Sequence, residues 1–117
     1  MKIREIADLL DAEVLVGDEM LDTEILTACA GDMMSDVLAF PKEHMVLLTG
    51  LMNPQTMRTC DMLDVRCVVF VRGKQPADEL LELAKDYDMC VLSTSCGLYV
   101  ASGILYTNGL HARKKGL

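Results

Sequence analysis

The sequence predicts an α/β fold, a three-layer sandwich in which helices flank a small, mainly parallel β-sheet. Three apolar runs start roughly 22 residues apart: Met45–Thr49, residues 67–71 and Cys90–Ser93. Each run is continuously hydrophobic, which is typical of strands that are covered on both faces. A helical pattern follows each run, and strand–helix–strand units with short links form right-handed parallel crossovers.

The first part of the chain predicts one helix and two further apolar segments. Residues 2–11 show helical spacing, and the apolar face consists of Ile3, Ile6, Ala7 and Leu10. Glu13–Val16 is predicted as a strand that ends at Gly17. Residues 25–30 form a second apolar stretch, which ends at Gly31.

The remaining helices are predicted from their start and stop signals. Asp32 is a natural N-cap for a helix over residues 33–40, and Pro41 stops that helix. Proline is also well placed at the start of two later helices, because the first helical position needs no backbone donor. The three helical patterns after the core runs cover residues 54–63, 76–87 and 96–106.

Length and composition indicate a single domain. The chain has 117 residues, of which 51% are hydrophobic and 25% charged, enough to build one core. We expect one α/β domain over residues 1–110 and a basic C-terminal tail over residues 111–117. The apolar runs are far shorter than the ~18 residues that span a bilayer. Because the start also lacks the apolar centre of a signal peptide, the expected location is the cytoplasm, with no membrane partner.

Charge is unevenly distributed along the chain. The net charge is −7, with eighteen acidic and eight basic residues before Met89 and only Arg113, Lys114 and Lys115 charged after it. An acidic body argues against nucleic acid as a partner, because nucleic-acid binding depends on neutralising phosphates. The basic tail is interpreted as a solvated terminus.

The cysteines and histidines do not form a metal or disulfide motif. The five cysteines are Cys29, Cys60, Cys67, Cys90 and Cys96, with no C-x-x-C pair, and the two histidines are distant from each other. Free, mostly buried thiols are the favoured interpretation. We therefore expect neither a metal nor a cofactor.

The best candidate ligand site lies where the three core strands end. In a parallel sheet these exits share the carboxyl edge, where helix N-termini offer free N–H groups and partial positive charge. Hydroxyls, cations and glycines at this edge would suit a phosphate or carboxylate. The predicted ligand-binding residues are Thr49 and Gly50 at the first exit, Arg72, Gly73 and Lys74 at the second, and Ser93, Thr94 and Ser95 at the third.

This pattern has two alternative explanations. Neither nucleotide fingerprint, G-x-x-x-x-G-K-[ST] or G-x-G-x-x-G, is present, and Ser and Thr before a helix are ordinary caps. Anion binding and plain helix capping therefore stay open as equal interpretations.

Cys96, in the first turn of a predicted helix, is placed where a thiolate would be stabilised. A nucleophile also needs a base, but His44 lies before a strand and His111 lies in the tail. The favoured interpretation of Cys96 is therefore a small packed residue.

The order of these motifs resembles the DRTGG domain family over roughly residues 2–106. The resemblance is carried by "GDEMLDTEI", by "AGDMM", by a strand ending in Thr49-Gly50 and by a strand ending at Gly73 before Pro76. It implies a fold similar to the N-terminal domain of HPr kinase/phosphatase and no catalytic activity. The resemblance also implies a regulatory, ligand-sensing role and a redox- or hydrogenase-related protein partner.

Two positions depart from the family pattern. The arginine expected after Asp22 is Thr23, and the Thr-Gly-Gly that the family pattern expects at a strand exit reads Val71-Arg72-Gly73. If those signature residues bind a ligand in the family, this chain binds a different ligand or none. Arg72 would restore the positive charge that is missing at residue 23.

Three hypotheses follow for the function. The leading one is a non-catalytic regulatory domain that binds a small anionic ligand, with an adenine nucleotide as one candidate, at the carboxyl edge of the sheet. The second is a structural interaction module that forms a homodimer, since a small domain with many apolar residues often buries a face against a copy of itself. The third and weakest is a thiol enzyme that uses Cys96.

Overall fold

A computed structural model describes residues 1–39 and 42–113. Its five strands are β1 (Glu13–Val16), β2 (Thr27–Ala30), β3 (Met45–Thr49), β4 (Cys67–Phe70) and β5 (Cys90–Ser93). Its five α-helices are α1 (Ile3–Leu9), α2 (Met34–Ala39), α3 (Pro54–Met62), α4 (Asp78–Asp86) and α5 (Leu98–Thr107). A single 3₁₀ turn, Asp18–Met20, follows β1.

The strands form one mixed sheet in the order β1-β5-β4-β3-β2. β2, β3, β4 and β5 are mutually parallel, whereas β1 runs antiparallel to β5 at one edge. The prediction of a small, mainly parallel sheet between helical layers is confirmed.

Both faces of the sheet are buried, as the continuous apolar runs predicted. All four residues of β4 have no exposed surface, with Cys67 and Val69 in one core and Val68 and Phe70 in the other. The first core lies under α1 and α5, and includes the predicted face of α1. The second core lies under α2, α3 and α4. Two apolar layers thus fix the positions of the strand ends.

Some predicted boundaries are wrong by one to a few residues. β4 ends at Phe70, because Arg72 and Gly73 both turn into the left-handed region with φ of 67° and 69°. α4 begins at Asp78, two residues after the predicted start. The predicted end of α2 at Phe40 and Pro41, and the predicted tail from residue 114 onward, lie outside the described residues.

The predicted N-cap role of Asp32 is also wrong. The carbonyl of Met33 accepts the first helical hydrogen bonds of α2, from the N–H groups of Asp36 and Val37, so Met33 holds the cap position. The carboxylate of Asp32 points instead to the end of β3, where it accepts from Gly50 and Thr49.

The cysteines are free thiols, as predicted. Cys60, Cys67 and Cys90 are buried, while Cys29 and Cys96 are partly exposed. Burial raises the pKa of the Cys60 thiol to about 12. Cys67 and Cys90 face each other across β4 and β5, and their shared hydrogen bond, with burial, raises the pKa of Cys67 well above its ordinary value. These three thiols are core residues.

Candidate functional site

The three predicted strand exits lie side by side. β4 is hydrogen-bonded to β3 on one side and to β5 on the other, in parallel. The carboxyl ends of all three strands therefore meet at one edge, which is the edge where open α/β sheets bind ligands. We call this the exit site, defined by Asp32, residues 49–50, 72–74 and 93–96.

Arg72 is fixed in position by the backbone of the neighbouring exit. Its N–H donates to the carbonyl of Cys96 at 2.8 Å, and the N–H of Gly73 donates to the carbonyl of Thr94 at 2.9 Å. A left-handed conformation costs a non-glycine residue about 1–2 kcal/mol, and these two bonds help to offset that cost at Arg72. The turn projects Arg72 from the end of the central strand.

Asp32 receives three donors at this edge. Its Oδ1 accepts from the Gly50 N–H at 2.7 Å and from the Thr49 hydroxyl at 3.0 Å. Its Oδ2 lies 3.4 Å from Nη2 of Arg72. The Gly50 N–H, with Thr49 and Arg72, holds the pKa of the Asp32 carboxyl below its ordinary value of 3.8, although partial burial opposes the shift.

Sequence reasoning placed Asp32 at a helix cap and missed its role in the exit site. The available signal was position: Asp32 follows β2 directly after Gly31, and β2 is parallel to β3. A fourth strand therefore ends at the same edge, and its exit carries a carboxylate.

Most of the predicted hydroxyl ligands are bonded to the protein. Thr49 donates to Asp32 and accepts from the Leu51 N–H at 3.1 Å. Ser93 donates to the carbonyl of Lys74 at 3.2 Å, and Thr94 donates to the carbonyl of Leu10 at 2.7 Å. These three hydroxyls are buried, so they hold the exits together.

The backbone donors of the two predicted glycines are also engaged. The Gly50 N–H bonds to Asp32, and the Gly73 N–H bonds to Thr94. The exposed side chains of the exit site are those of Asp32, Arg72, Lys74 and Ser95, so the carboxylate that pairs with Arg72 also faces solvent. Next to them α5 begins after Gly97 with no side-chain cap, so the positive end of that helix faces the same edge.

Neither histidine lies near the thiol of Cys96. Its Sγ lies 4.0 Å from the carbonyl of Leu10. His44 precedes β3 and so lies at the opposite edge, while the ring of His111 packs on Tyr106 and its Nε2 lies 3.2 Å from the Tyr106 carbonyl. Within the described ranges, no group of three or more His, Cys, Asp or Glu residues is arranged to hold a metal ion.

An apolar pocket lies away from the exit site. It has a volume of about 120 Å³ and lies between the β2 edge, α5 and the segment that follows α5. Ala28, Leu105 and Leu110 are among its lining residues. The N–H of Ala28 donates to the carbonyl of His111 at 3.0 Å, so the start of the predicted tail is attached to the edge of the sheet. This pocket offers few polar groups for recognition of an anion.

Comparison with known proteins supports the fold. No family model matches the chain, and no curated protein matches it. A solved structure with a similar fold contains the CBS and DRTGG domains of the regulatory region of Clostridium perfringens pyrophosphatase, complexed with the activator diadenosine tetraphosphate. The TM-score is 0.73 at 22% identity, and the match covers 89% of this chain.

The present chain spans 45% of the length of that similar chain. At this level of identity the comparison establishes a related α/β fold, which agrees with the fold implied by the DRTGG resemblance. The similar chain is described as part of a regulatory region. In the part of the chain that the structure describes, no helix is long and apolar enough to cross a membrane.

Proposed function

We propose that this protein is a non-catalytic regulatory domain of the DRTGG type that binds a small anionic ligand at the exit site. The observation that carries the proposal is the position of Arg72. Its guanidinium stands at the carboxyl end of the central strand, 43% exposed, on a backbone held by two hydrogen bonds to the next exit. A fixed, accessible guanidinium is well suited to phosphate or carboxylate.

The electrostatics of the chain support this location for an anion. The protein carries a net charge of −7, which repels anions from most of its surface. Arg72 and Lys74 stand together at one edge, beside the uncapped start of α5. An adenine nucleotide is one candidate ligand, because the similar regulatory region is in complex with a dinucleotide activator.

Calorimetry with a panel of adenine nucleotides, pyrophosphate and acetyl phosphate tests the proposal. Arg72→Gln should weaken binding of the best ligand about tenfold or more, the loss of one charge-assisted contact. Lys85→Gln is the matched control, because Lys85 lies in the last turn of α4 and pairs with Glu82 at 3.3 Å. Absence of heat from every ligand at millimolar concentration would contradict the proposal, as would equal effects of the two substitutions.

Dimerisation is a second candidate function, and the surface of α5 favours it. This helix contains no charged residue, and Tyr99, Val100 and Tyr106 are 91%, 53% and 47% exposed. Tyr99 and Tyr106 lie on one face, four residues before and three after Gly103. Two antiparallel copies related by a two-fold axis midway between Ser102 and Gly103 would place Tyr99 of one copy against Tyr106 of the other.

The other expectations stay predictions. A redox- or hydrogenase-related partner is implied by the family resemblance alone, and so is membership of the DRTGG family. The division into a domain over residues 1–110 and a tail over residues 111–117, and the cytoplasmic location, are likewise expectations from sequence. A thiol enzyme that uses Cys96 is not favoured, since neither histidine lies near the thiol.

A further inference from the structure

We infer that the Asp32 carboxylate occupies the anion position of the exit site when no ligand is bound. A terminal phosphate group of the ligand then displaces this carboxylate. This inference rests on the proposed function, because it requires an anion to bind there. It adds the chemical class of the group that is recognised and the protein contact that binding breaks.

The inference starts from the convergence of donors on one carboxylate. A backbone N–H from Gly50, a hydroxyl from Thr49 and the guanidinium of Arg72 all point at Asp32. This combination of neutral and cationic donors is the type that proteins use for phosphate. Asp32 thus fills the position that best suits an external anion.

The ligand must compete for at least two of these donors. Arg72 is the accessible one, and the Gly50 N–H donates to the other oxygen of the same carboxylate. An oxyanion that reaches both needs two or more oxygens on one compact centre. A terminal phosphate has three such oxygens, together with a charge of up to −2 that the single charge of Asp32 cannot match.

Displacement of Asp32 is feasible because its ion pair is open to solvent. The side chain of Asp32 is 45% exposed, that of Arg72 is 43% exposed, and their charged atoms are 3.4 Å apart. Exposed pairs of this kind are screened by water and contribute little. A freed Asp32 carboxylate would be hydrated at once.

Displacement of Asp32 would also affect the neighbouring helix α2. Asp32 lies two residues before α2, a helix of six residues whose buried side chain is Val37. Met33 and Leu38 are 63% and 41% exposed, so few apolar contacts hold this segment against α3. Loss of the bonds between Asp32 and the end of β3 would loosen the chain between Gly31, whose N–H bonds to Leu48, and the buried Val37, which gives the ligand a means of changing the protein surface.

Removal of the negative charge of Asp32 should therefore strengthen binding of an anionic ligand. Calorimetry with inorganic pyrophosphate, in the presence of a chelator, compares the wild-type protein with Asp32→Asn. Asp36→Asn is the matched control, because it removes the same charge from an exposed residue of α2 whose backbone, not its carboxylate, bonds to Met33. We expect pyrophosphate to bind Asp32→Asn at least about fivefold more tightly than wild type, and Asp36→Asn to change affinity by less than about twofold.

The outcomes separate this inference from the proposed function. Pyrophosphate binding to wild type with equal or weaker binding to Asp32→Asn would overturn the inference alone, because Asp32 would then support the ligand and not compete with it. Absence of pyrophosphate binding to both proteins would also overturn the inference, whereas the proposed function fails only if no ligand of the calorimetry panel binds. If Asp32→Asn fails to fold, Asp32→Ser gives the same comparison, since it keeps a short acceptor for the Gly50 N–H and removes the charge.

Discussion

The guanidinium of Arg72 lies directly over the Cα of Gly50. A Cβ built on Gly50 would lie 1.9 Å from Nη2 and 2.8 Å from Cζ of Arg72. The absence of a side chain at residue 50 thus allows the cation at the end of β4 to reach the end of β3. This relationship joins two of the strand exits into one site.

Gly50→Ala should displace Arg72 without unfolding the protein. The clash involves the far end of a flexible side chain, so the free energy of unfolding should fall by no more than about 1 kcal/mol. Pyrophosphate affinity, measured by calorimetry, should fall roughly fivefold or more as the guanidinium leaves its place. Gly31→Ala is the control, because a Cβ there meets no atom within 4 Å; unchanged affinity in Gly50→Ala would show that the position of Arg72 is unimportant.

Asp32 should give the protein an acid-sensitive part of its stability. Because its pKa in the folded state is held below 3.8, first by the Gly50 N–H, ionised Asp32 stabilises the fold above that pH. The contribution is lost as pH falls through the lower folded-state pKa. Urea unfolding of wild type and Asp32→Asn should therefore show a difference near neutral pH that shrinks below about pH 4.

Asp36→Asn supplies the reference for that experiment. It measures the general effect of removing one acidic residue from an acidic protein. A wild-type to Asp32→Asn difference that does not diminish in acid, or that matches the Asp36→Asn difference at every pH, would contradict the assigned hydrogen bonds.

Thr94 should matter for stability and not for ligand contact. Its hydroxyl donates to the carbonyl of Leu10 at 2.7 Å and accepts from the N–H of Cys96 at 3.2 Å. Thr94→Val keeps the shape but leaves both backbone groups unpaired, which should cost about 1–3 kcal/mol of unfolding free energy. Ser95→Ala, at the exposed neighbouring position, should change stability by less than about 0.5 kcal/mol; equal stabilities by urea unfolding would refute the structural role of Thr94.

If α5 forms the dimer interface, a charge on its exposed face should produce monomers. Tyr99→Glu places a carboxylate at the 91% exposed residue of that face, against the ring of Tyr106 in the second copy. Met62→Glu is the control, since Met62 is 72% exposed but lies on α3, in the other helical layer. Sedimentation should find dimers for wild type and Met62→Glu and monomers for Tyr99→Glu, whereas a monomeric wild type would exclude this interface.

The sheet was predictable because strands that are buried on both faces appear in the sequence as continuous apolar runs. Met45–Thr49 and Cys90–Ser93 have their predicted bounds, since continuous apolar runs occur only where helices cover both sides. Helix starts were less predictable. Pro54 marks the start of α3, but Pro76 precedes α4 by two residues, because proline also fits an extended segment.

The exit site was predictable in place but not in its bonding. Parallel topology brings Thr49, Arg72 and Ser93 to one edge, which follows from strand order alone. The partner of each group depends on tertiary contacts that local patterns do not encode. Asp32 looks like a helix cap in sequence, and only the parallel pairing of β2 with β3 shows that its carboxylate reaches Gly50.

The most direct test of the account is to observe which backbone amides respond to an anion. Titration of the isotope-labelled protein with pyrophosphate, followed by ¹H–¹⁵N correlation NMR, reports every amide in one experiment. We predict the largest shifts at Gly50, Arg72 and Gly73, with smaller shifts at Gly97 and in α2. Shifts confined to residues around the apolar pocket, such as Ala28 and Leu110, or no shifts at millimolar pyrophosphate, would contradict an anion site at the strand exits.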